Sequence, residues 1–238
     1  MHGTVSFDAR ERRFPNAAAL TTTLSADIAA ALEDGLGAGR GASLVVAGGR
    51  TPAPVFEALS EIDLDWEDVY VSLTDERWVD TTNESSNEQL VRKHLLRNAA
   101  ARANLVGLKN KAPDPKAGAA AAWSAVADIP RPFDFVLLGM GDDGHMASLF
   151  PHSPGLDGGL DLRQHPGCIA MTAPTEPRAR LSLNLRALVD SRRIAVLIVG
   201  ESKWATYQRA RKPGPIADMP VRALSLQQNV PVTVYWSP

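Results

Sequence analysis

The sequence predicts an α/β protein: a three-layer, Rossmann-like open sheet that is mainly parallel, with helices on both faces. Short apolar runs rich in β-branched residues alternate with helical patterns from about residue 43 to the end of the chain. The apolar runs lack polar alternation, as is typical of strands that are covered on both faces. At 238 residues, the chain has the length of one large domain or two small ones at most, and we expect a single domain over 1–238.

Each element is predicted from apolar periodicity and from the residues that bound it. Strands are expected at residues 4–7, 43–46, 69–73, 133–138, 168–172, 194–199 and 232–236. Helices are expected to begin near Asn16, at Thr51 as N-cap, at Ser85 with Glu88 as a capping box, at Asp114 and near Lys203. Residues 98–112 and 153–166 are expected to be irregular.

The strand ends predict where a ligand would bind. In an open α/β sheet, ligands collect beyond the carboxyl ends of the strands, so the turns that follow neighbouring strands face one crevice. The turns in question are those at Gly49, Asp75, Gly139 and Gly200.

Composition limits the classes of partner. The chain is 45% hydrophobic and 22% charged, with a formal net charge of -2, so it has no general attraction for nucleic acid or anionic membranes. The single cysteine, Cys168, cannot form an internal disulfide, and the charged first twenty residues contain no apolar signal core. We therefore expect a cytoplasmic protein without a nucleic-acid or membrane partner.

The stretch 139–151 has the most informative chemistry in the chain. It follows a predicted buried strand and consists of Gly-Met-Gly-Asp-Asp-Gly-His-Met-Ala-Ser-Leu-Phe-Pro. Histidine is the residue type whose ordinary pKa lies nearest neutrality, so His145 is the predicted catalytic proton carrier. Three carboxylates, those of Asp75, Asp142 and Asp143, are candidates for its partner.

Residues 48–51, Gly-Gly-Arg-Thr, have the features of an anion site. They connect a predicted strand to a helix N-terminus, where free backbone N–H groups and the helix dipole favour a phosphate. Arg50 adds a planar cation, and Lys203 lies after a later strand as a point charge. The alternative for residues 48–51 is a tight turn with an exposed arginine.

Asp75 and Arg77 follow the strand at 69–73, where they are placed to orient a polar substrate. The alternative is that they pair with each other or cap a helix. The glycines at 139, 141 and 144 also fit the dinucleotide pattern G-x-G-x-x-G, but Asp142 and Asp143 would put negative charge beside a pyrophosphate. The sequence contains no histidine and cysteine cluster of the kind that zinc requires.

These motifs resemble those of the 6-phosphogluconolactonase family, in the family's order and over nearly the whole chain. The resembling segments are Gly48-Gly49-Arg50-Thr51-Pro52, Thr74-Asp75-Glu76-Arg77-Trp78-Val79, Gly139-x-Gly-x-Asp143-Gly144-His145-x-Ala147-Ser148-Leu149-Phe150-Pro151 and Gly200-x-x-Lys203. Ala47 and Arg50 depart from the pattern, because serine is common at both positions. The first departure removes a hydroxyl from the expected phosphate loop, and the second adds a cation.

The resemblance implies hydrolysis of 6-phosphogluconolactone to 6-phosphogluconate in the pentose phosphate pathway, without a metal or cofactor. A monomer and a homodimer are both compatible with the sequence. His145 is then the general base that activates water, and Asp143 orients its imidazole. Asp75 and Arg77 hold the sugar ring or the developing oxyanion. The implied phosphate ligands are Gly48, Gly49, Arg50, Thr51, Arg180 and Lys203.

Two alternative functions remain. Glucosamine-6-phosphate deaminase is similar in fold and shares the Gly-x-Gly-x-Asp-Gly-His core, but it has an acid five residues after the histidine. This chain has Phe150 there, which cannot transfer a proton. The other alternative is a non-catalytic sugar-phosphate sensor on the same fold. The intact Asp75, Arg77 and His145 favour an enzyme over a sensor.

Overall fold

The computed structural model describes residues 4–238. In chain order, the strands are β1 (Thr4–Val5), β2 (Arg10–Arg13), β3 (Ala42–Val46), β4 (Val69–Leu73), β5 (Asp75–Arg77), β6 (Asn104–Val106), β7 (Phe135–Gly139), β8 (Cys168–Thr172), β9 (Ala179–Leu183), β10 (Ile194–Val199), β11 (Gly214–Pro215) and β12 (Val232–Ser237). The helices are α1 (Ala17–Gly37), α2 (Ala53–Ser60), α3 (Asn87–His94), α4 (Pro115–Ala127), α5 (Leu156–Leu160), α6 (Leu185–Leu188) and α7 (Glu201–Ala210).

A seven-stranded sheet forms the centre of the fold, in the order β2-β12-β10-β7-β3-β4-β6. Every neighbouring pair in it is parallel. All five residues of β3 are buried, because apolar side chains on both faces of a parallel strand are covered. The predicted mainly parallel α/β fold is therefore confirmed. Among the helices of residues 4–238, none combines the length and the apolar character needed to cross a membrane.

Helices cover opposite faces of this sheet at β2. Arg12 and Glu11 are neighbours in β2, so their side chains point to opposite faces. Arg12 pairs with Asp27 of α1, whereas Glu11 accepts a hydrogen bond from Tyr207 of α7 at 3.0 Å. Thus α1 and α7 lie on the two sides of the sheet, and the three-layer architecture follows.

A second, antiparallel sheet in the order β5-β9-β8 begins where β4 ends. The backbone N–H of Thr74 donates to Val46 of β3 at 2.9 Å, and the carbonyl of Thr74 accepts from Leu183 of β9 at 2.8 Å. Residues 69–77 therefore run from one sheet directly into the other. Residues 74–78 follow the end of β4 as predicted, and 75–77 form a further strand that the sequence did not predict.

Some elements differ from the sequence prediction. The chain forms β2 from Arg-Glu-Arg-Arg, a sequence without apolar alternation, because an edge strand can keep its charged side chains in solvent. Residues 98–112, expected to be irregular, contain a 3-10 turn at Asn98–Arg102 and the short edge strand β6. Residues 153–166, expected to form a loop, include the short helix α5.

Two helix caps also differ from the prediction. The N-cap of α2 is Pro52, without a side-chain hydrogen bond, so Thr51 does not cap this helix. The N-cap of α3 is Ser86 rather than Ser85, and it accepts a hydrogen bond from the backbone of Gln89 at 3.2 Å.

The C-terminal segment 214–226 supports the turn that contains His145. Val221 donates a backbone hydrogen bond to Gly144 at 2.9 Å. Arg222 holds this segment in place, because its buried guanidinium donates to four backbone carbonyls around the end of α7. Its acceptors are Ala210 at 3.2 Å, Pro215 at 3.0 Å, and Arg209 and Lys212 at 3.1 Å each.

Replacing this guanidinium should destabilise the fold. We expect Arg222→Met to lower the free energy of unfolding by about 3 kcal/mol, because buried carbonyls lose their donors while side-chain length is kept. The measurement is the urea midpoint at pH 7. Arg102→Met is the control, since Arg102 forms an exposed ion pair with Glu67, and it should change stability by less than about 0.5 kcal/mol. Equal stabilities for the two variants would contradict this account.

Candidate active site

A cavity of about 320 Å³ opens at the carboxyl ends of β10, β7, β3 and β4. These four strands are neighbours in the sheet, so the predicted convergence of their turns is confirmed. Eight predicted site residues line the cavity: Gly48, Gly49, Thr51, Asp75, Arg77, His145, Arg180 and Lys203. Asp143 lies outside the lining but contacts His145, whereas Arg50 is exposed and lies outside the lining.

Asp143 is the carboxylate that contacts His145. Its Oδ1 lies 2.6 Å from Nδ1 of His145 and accepts the backbone N–H of the same residue at 3.0 Å. Burial alone would raise the pKa of Asp143, but the hydrogen bonds and charge of His145 outweigh burial and lower it. Asp143 therefore stays ionised and accepts hydrogen bonds only. The proton on the imidazole is then at Nδ1, which leaves Nε2 as a base.

The loop that carries this pair, residues 139–151, is referred to below as the catalytic loop. Phe150 lies at its end and is 7% exposed. Its ring centroid lies 4.6 Å from that of His145, and the guanidinium carbon of Arg180 lies 6.0 Å from the same ring. The ring of Phe150 therefore contacts the imidazole and lies near a cation.

Asp75 is buried, and each oxygen of its carboxylate accepts one hydrogen bond. Oδ1 accepts from the hydroxyl of Thr74 at 3.0 Å, and Oδ2 accepts from the hydroxyl of Ser148 at 2.6 Å. The amide of Asn87 donates to the backbone carbonyl of Asp75 at 2.7 Å. The alternative that Asp75 and Arg77 form an ion pair with each other is not observed among the described residues 4–238.

Two arginines stand side by side at the cavity. Arg77 of β5 directly opposes Arg180 of β9 in the antiparallel register. Burial lowers the pKa of Arg180 and the charge of Arg77 lowers it further, while Asp75 and Glu76 oppose the change. Arg180 is 6% exposed, and its Nε donates to the carbonyl of Pro177 at 2.7 Å. Like charges held this close create a strong preference for an anion between them.

Glu76 fixes the strand on which Arg77 lies. Its carboxylate is fully buried and accepts backbone N–H groups of Arg77 at 2.7 Å, and of Asn87 and Glu88 at 2.8 Å each. The hydroxyl of Ser86 donates to it at 3.0 Å. Burial raises the pKa of Glu76, and these hydrogen bonds oppose the increase. This one carboxylate therefore joins β5 to the N-terminus of α3.

Helix α7 anchors the other side of the catalytic loop. Lys203 donates from Nζ to the carbonyl of Met140, and Thr206 and Arg209 donate to the carbonyl of Asp142 at 3.1 Å each. The carboxylate of Asp142 lies 3.9 Å from Lys203. Asp142 is thus a partner of α7, not of His145.

The glycine turn after β3 lies at the N-terminal end of α2, as predicted for an anion site. Gly48 packs against Asn87 so closely that a Cβ at this position would lie 1.8 Å from the amide oxygen. Only glycine therefore fits beside Asn87. Sequence reasoning did not select Asn87, which lines the cavity, because its contacts are to residues far away in the chain.

The described residues 4–238 contain no group of three or more histidine, cysteine, aspartate or glutamate side chains that could hold a metal ion. The cavity and its immediate surroundings present one imidazole, its carboxylate partner, a second carboxylate and three cations. This set suits proton transfer on an anionic substrate.

The sequence of this chain is similar to those of known proteins. A family model described as glucosamine-6-phosphate isomerases/6-phosphogluconolactonase matches residues 15–236. A 6-phosphogluconolactonase of Pseudomonas putida is 42% identical over 223 residues, which are 94% of this chain and 90% of the relative. One of Pseudomonas aeruginosa is 43% identical over 215 residues, which are 90% of this chain and 89% of that relative.

A solved structure agrees with these relatives. The structure of a 6-phosphogluconolactonase from Shewanella baltica superposes with a TM-score of 0.94 at 41% sequence identity. The match covers 98% of this chain and all of that structure.

A close approach at Gly141 yields a prediction about the imidazole. A Cβ on residue 141 would lie 2.1 Å from Nδ1 of His145 and 2.6 Å from Oδ1 of Asp143. We therefore expect Gly141→Ala to displace the ring and remove its hydrogen bond to Asp143, which is measured from the imidazole nitrogen signals in ¹H–¹⁵N spectra. Because both side chains are partly exposed, the free energy of unfolding should fall by less than about 1 kcal/mol.

Gly158→Ala is the matched control, since a Cβ there meets nothing within 4 Å. It should leave the signals of His145 unchanged. Unchanged signals in Gly141→Ala as well would show that the ring does not occupy this position.

Proposed function

The chain belongs to the family of glucosamine-6-phosphate isomerases and 6-phosphogluconolactonases, and on that premise we propose that it hydrolyses 6-phospho-D-glucono-1,5-lactone to 6-phospho-D-gluconate. This is a metal-independent carboxylic ester hydrolysis of the pentose phosphate pathway. The observation that carries the proposal is the pair of His145 and Asp143 at a cavity that also contains Arg180 and Lys203. A base and an anion-binding site are thereby presented to one substrate.

The proposed mechanism begins with water. Nε2 of His145 removes a proton as the water oxygen attacks C1 of the lactone, and the carbonyl oxygen becomes an oxyanion. Asp143 keeps the imidazole ring of His145 oriented and stabilises the charged form of that imidazole. Collapse of the tetrahedral intermediate breaks the bond from C1 to the ring oxygen, which takes the proton back from Nε2. The product is the open-chain acid, and His145 is returned to its starting state.

The neighbours of His145 supply the remaining interactions. Arg77 faces the cavity with a cation suited to the developing oxyanion. Asp75 is held rigidly and is suited to accept hydroxyl groups of the sugar ring. A carboxylate used in this way needs no proton transfer of its own.

The phosphate is assigned to the same cavity, beside the turn that follows β3. The turn at Gly48 and Gly49 offers backbone N–H groups at the N-terminal end of α2, with Thr51 beside it. Arg180 adds a planar donor and Lys203 a point charge. Arg50 belongs to the proposed set from its sequence position only, because its side chain is exposed and lies outside the cavity lining.

The deaminase alternative is disfavoured by Phe150, whose ring packs against His145 where that enzyme would need an acid. The sensor alternative is disfavoured by the intact base. We infer that residues 1–238 form one sugar-phosphate lactonase domain. We place it in the cytoplasm, as a monomer or homodimer without a cofactor.

The first test is the rate of 6-phosphogluconate formation from freshly prepared lactone in the presence of EDTA, measured above spontaneous hydrolysis. We expect His145→Ala to reduce kcat by at least about 100-fold, because general base catalysis contributes that much or more. His152→Ala is the control: His152 is 67% exposed and pairs with Asp218, so its loss should change kcat less than twofold. A wild-type protein that does not exceed the spontaneous rate would overturn the lactonase proposal.

A second test separates phosphate binding from sugar binding. Calorimetry should show that Arg180→Met weakens 6-phosphogluconate binding by about 10 to 100-fold, because charge-assisted hydrogen bonds are lost. Binding of gluconate, which lacks the phosphate, should change less than threefold. Arg178→Met is the control, since Arg178 is exposed and two residues away. Equal losses for both ligands would show that Arg180 does not contact the phosphate.

A further inference from the structure

A buried hydroxyl in the catalytic loop is not used by the proposed mechanism. Ser148 is three residues from His145 and has no exposed surface. Its hydroxyl donates to Oδ2 of Asp75 at 2.6 Å, a short distance typical of a hydrogen bond to an ionised carboxylate. This bond joins the loop that carries the base to the strand that carries the second carboxylate, although the two residues are 73 positions apart in the chain.

The backbone of Ser148 is fixed by the same strand pair. Its N–H donates to the hydroxyl oxygen of Ser182 at 3.2 Å, and that hydroxyl donates to the carbonyl of Leu183 at 3.0 Å. Ser182 directly opposes Asp75 in the register of β9 and β5. The hydroxyls of Ser148 and Ser182, the carboxylate of Asp75 and the backbone N–H of Ser148 therefore all form hydrogen bonds. A buried polar network is rigid when its members are paired in this way.

The conformation of Ala147 lets neighbouring residues serve two sites. Its φ is +48°, in the left-handed region that alanine rarely adopts. This turn sends His145 to the cavity and Ser148 into the core, and it is strained for a residue with a Cβ. The buried hydrogen bonds of Ser148 offset that strain. Backbone strain is thus retained at Ala147, where the loop turns to direct His145 to the cavity and Ser148 into the core.

We propose that Ser148 is a positioning residue for lactone hydrolysis: through Oγ it holds the Asp75 carboxylate in one orientation relative to the His145 loop. The inference rests on the proposed function, because it assigns Asp75 a contact with the sugar. With Thr74 on Oδ1 and Ser148 on Oδ2, the carboxylate cannot rotate without breaking two hydrogen bonds. A positioning residue increases the reaction rate by holding the group that contacts the substrate in a fixed orientation.

The test is a double-mutant cycle with Ser148→Ala, Asp75→Ala and the double variant. Each protein is assayed for kcat/KM with the lactone and for affinity for 6-phosphogluconate. Ser148→Ala should lower kcat/KM about tenfold when Asp75 is present, since a positioning contact acts on the transition state through its partner. In the Asp75→Ala background the same change should have less than a twofold effect.

Ser72→Ala is the matched control. Ser72 lies on β4, is fully buried, and donates one hydroxyl hydrogen bond, to Val106 at 2.8 Å. It should lower stability about as much as Ser148→Ala does and leave kcat/KM within twofold. If Ser148→Ala does not fold at the assay temperature, the cycle is repeated with Ser148→Cys, whose slightly larger side chain fills the site but donates only weakly.

The outcomes separate this inference from the proposed function. A wild-type rate at the spontaneous level overturns the lactonase proposal, and the cycle is then decided by 6-phosphogluconate affinity alone. Equal fold-losses for Ser148→Ala in both backgrounds, in either measurement, overturn the role of Ser148. Losses of kcat/KM that are explained by a smaller fraction of folded protein, and that Ser72→Ala reproduces, also overturn the positioning role of Ser148.

Discussion

Residues 69–77 run without interruption from the parallel sheet into the antiparallel one, and the cavity lies at that junction. Thr74 is the pivot, because its N–H pairs with Val46 and its carbonyl pairs with Leu183. The chain cannot shift at this point without losing backbone pairing on both sides, which makes the junction costly to deform. Asp75 and Arg77 take their positions from it, and Arg180 is aligned with them by strand register.

Glu76 shows what this arrangement costs. A fully buried carboxylate is expensive, and burial raises its pKa despite its hydrogen bonds to Arg77, Ser86, Asn87 and Glu88. Since its pKa is raised in the folded state, its contribution to stability is greatest in acid and is lost as the pH rises through that pKa. The ionised form of Glu76 therefore stabilises the fold less than the protonated form does. The benefit of burying Glu76 is structural, because its carboxylate orders α3 and β5, the strand that presents two cavity residues.

Much of this fold was predictable from the sequence where local pattern and environment agree. The buried strands β3, β4 and β10 are predominantly apolar and rich in β-branched residues, and the strand β8 was predicted with its observed bounds. The edge strand β2 was missed because its charged residues have the composition of a solvated loop. Among site residues, His145 and Asp75 were found from residue type after a strand end. Asn87 was missed, as was any role for Ser148, because their significance comes from partners distant in the chain.

The sheet ends on both sides in strands that are poor templates for further pairing. On one edge β2 presents Arg10, Arg12 and Arg13, and on the other β6 has three residues. Repulsion between two copies of the first edge, and the shortness of the second, oppose continuation of the sheet from one molecule into another. Self-association of this protein would therefore avoid both edges of the central sheet, and the same two edges protect that sheet from the ordered aggregation to which open parallel sheets are prone.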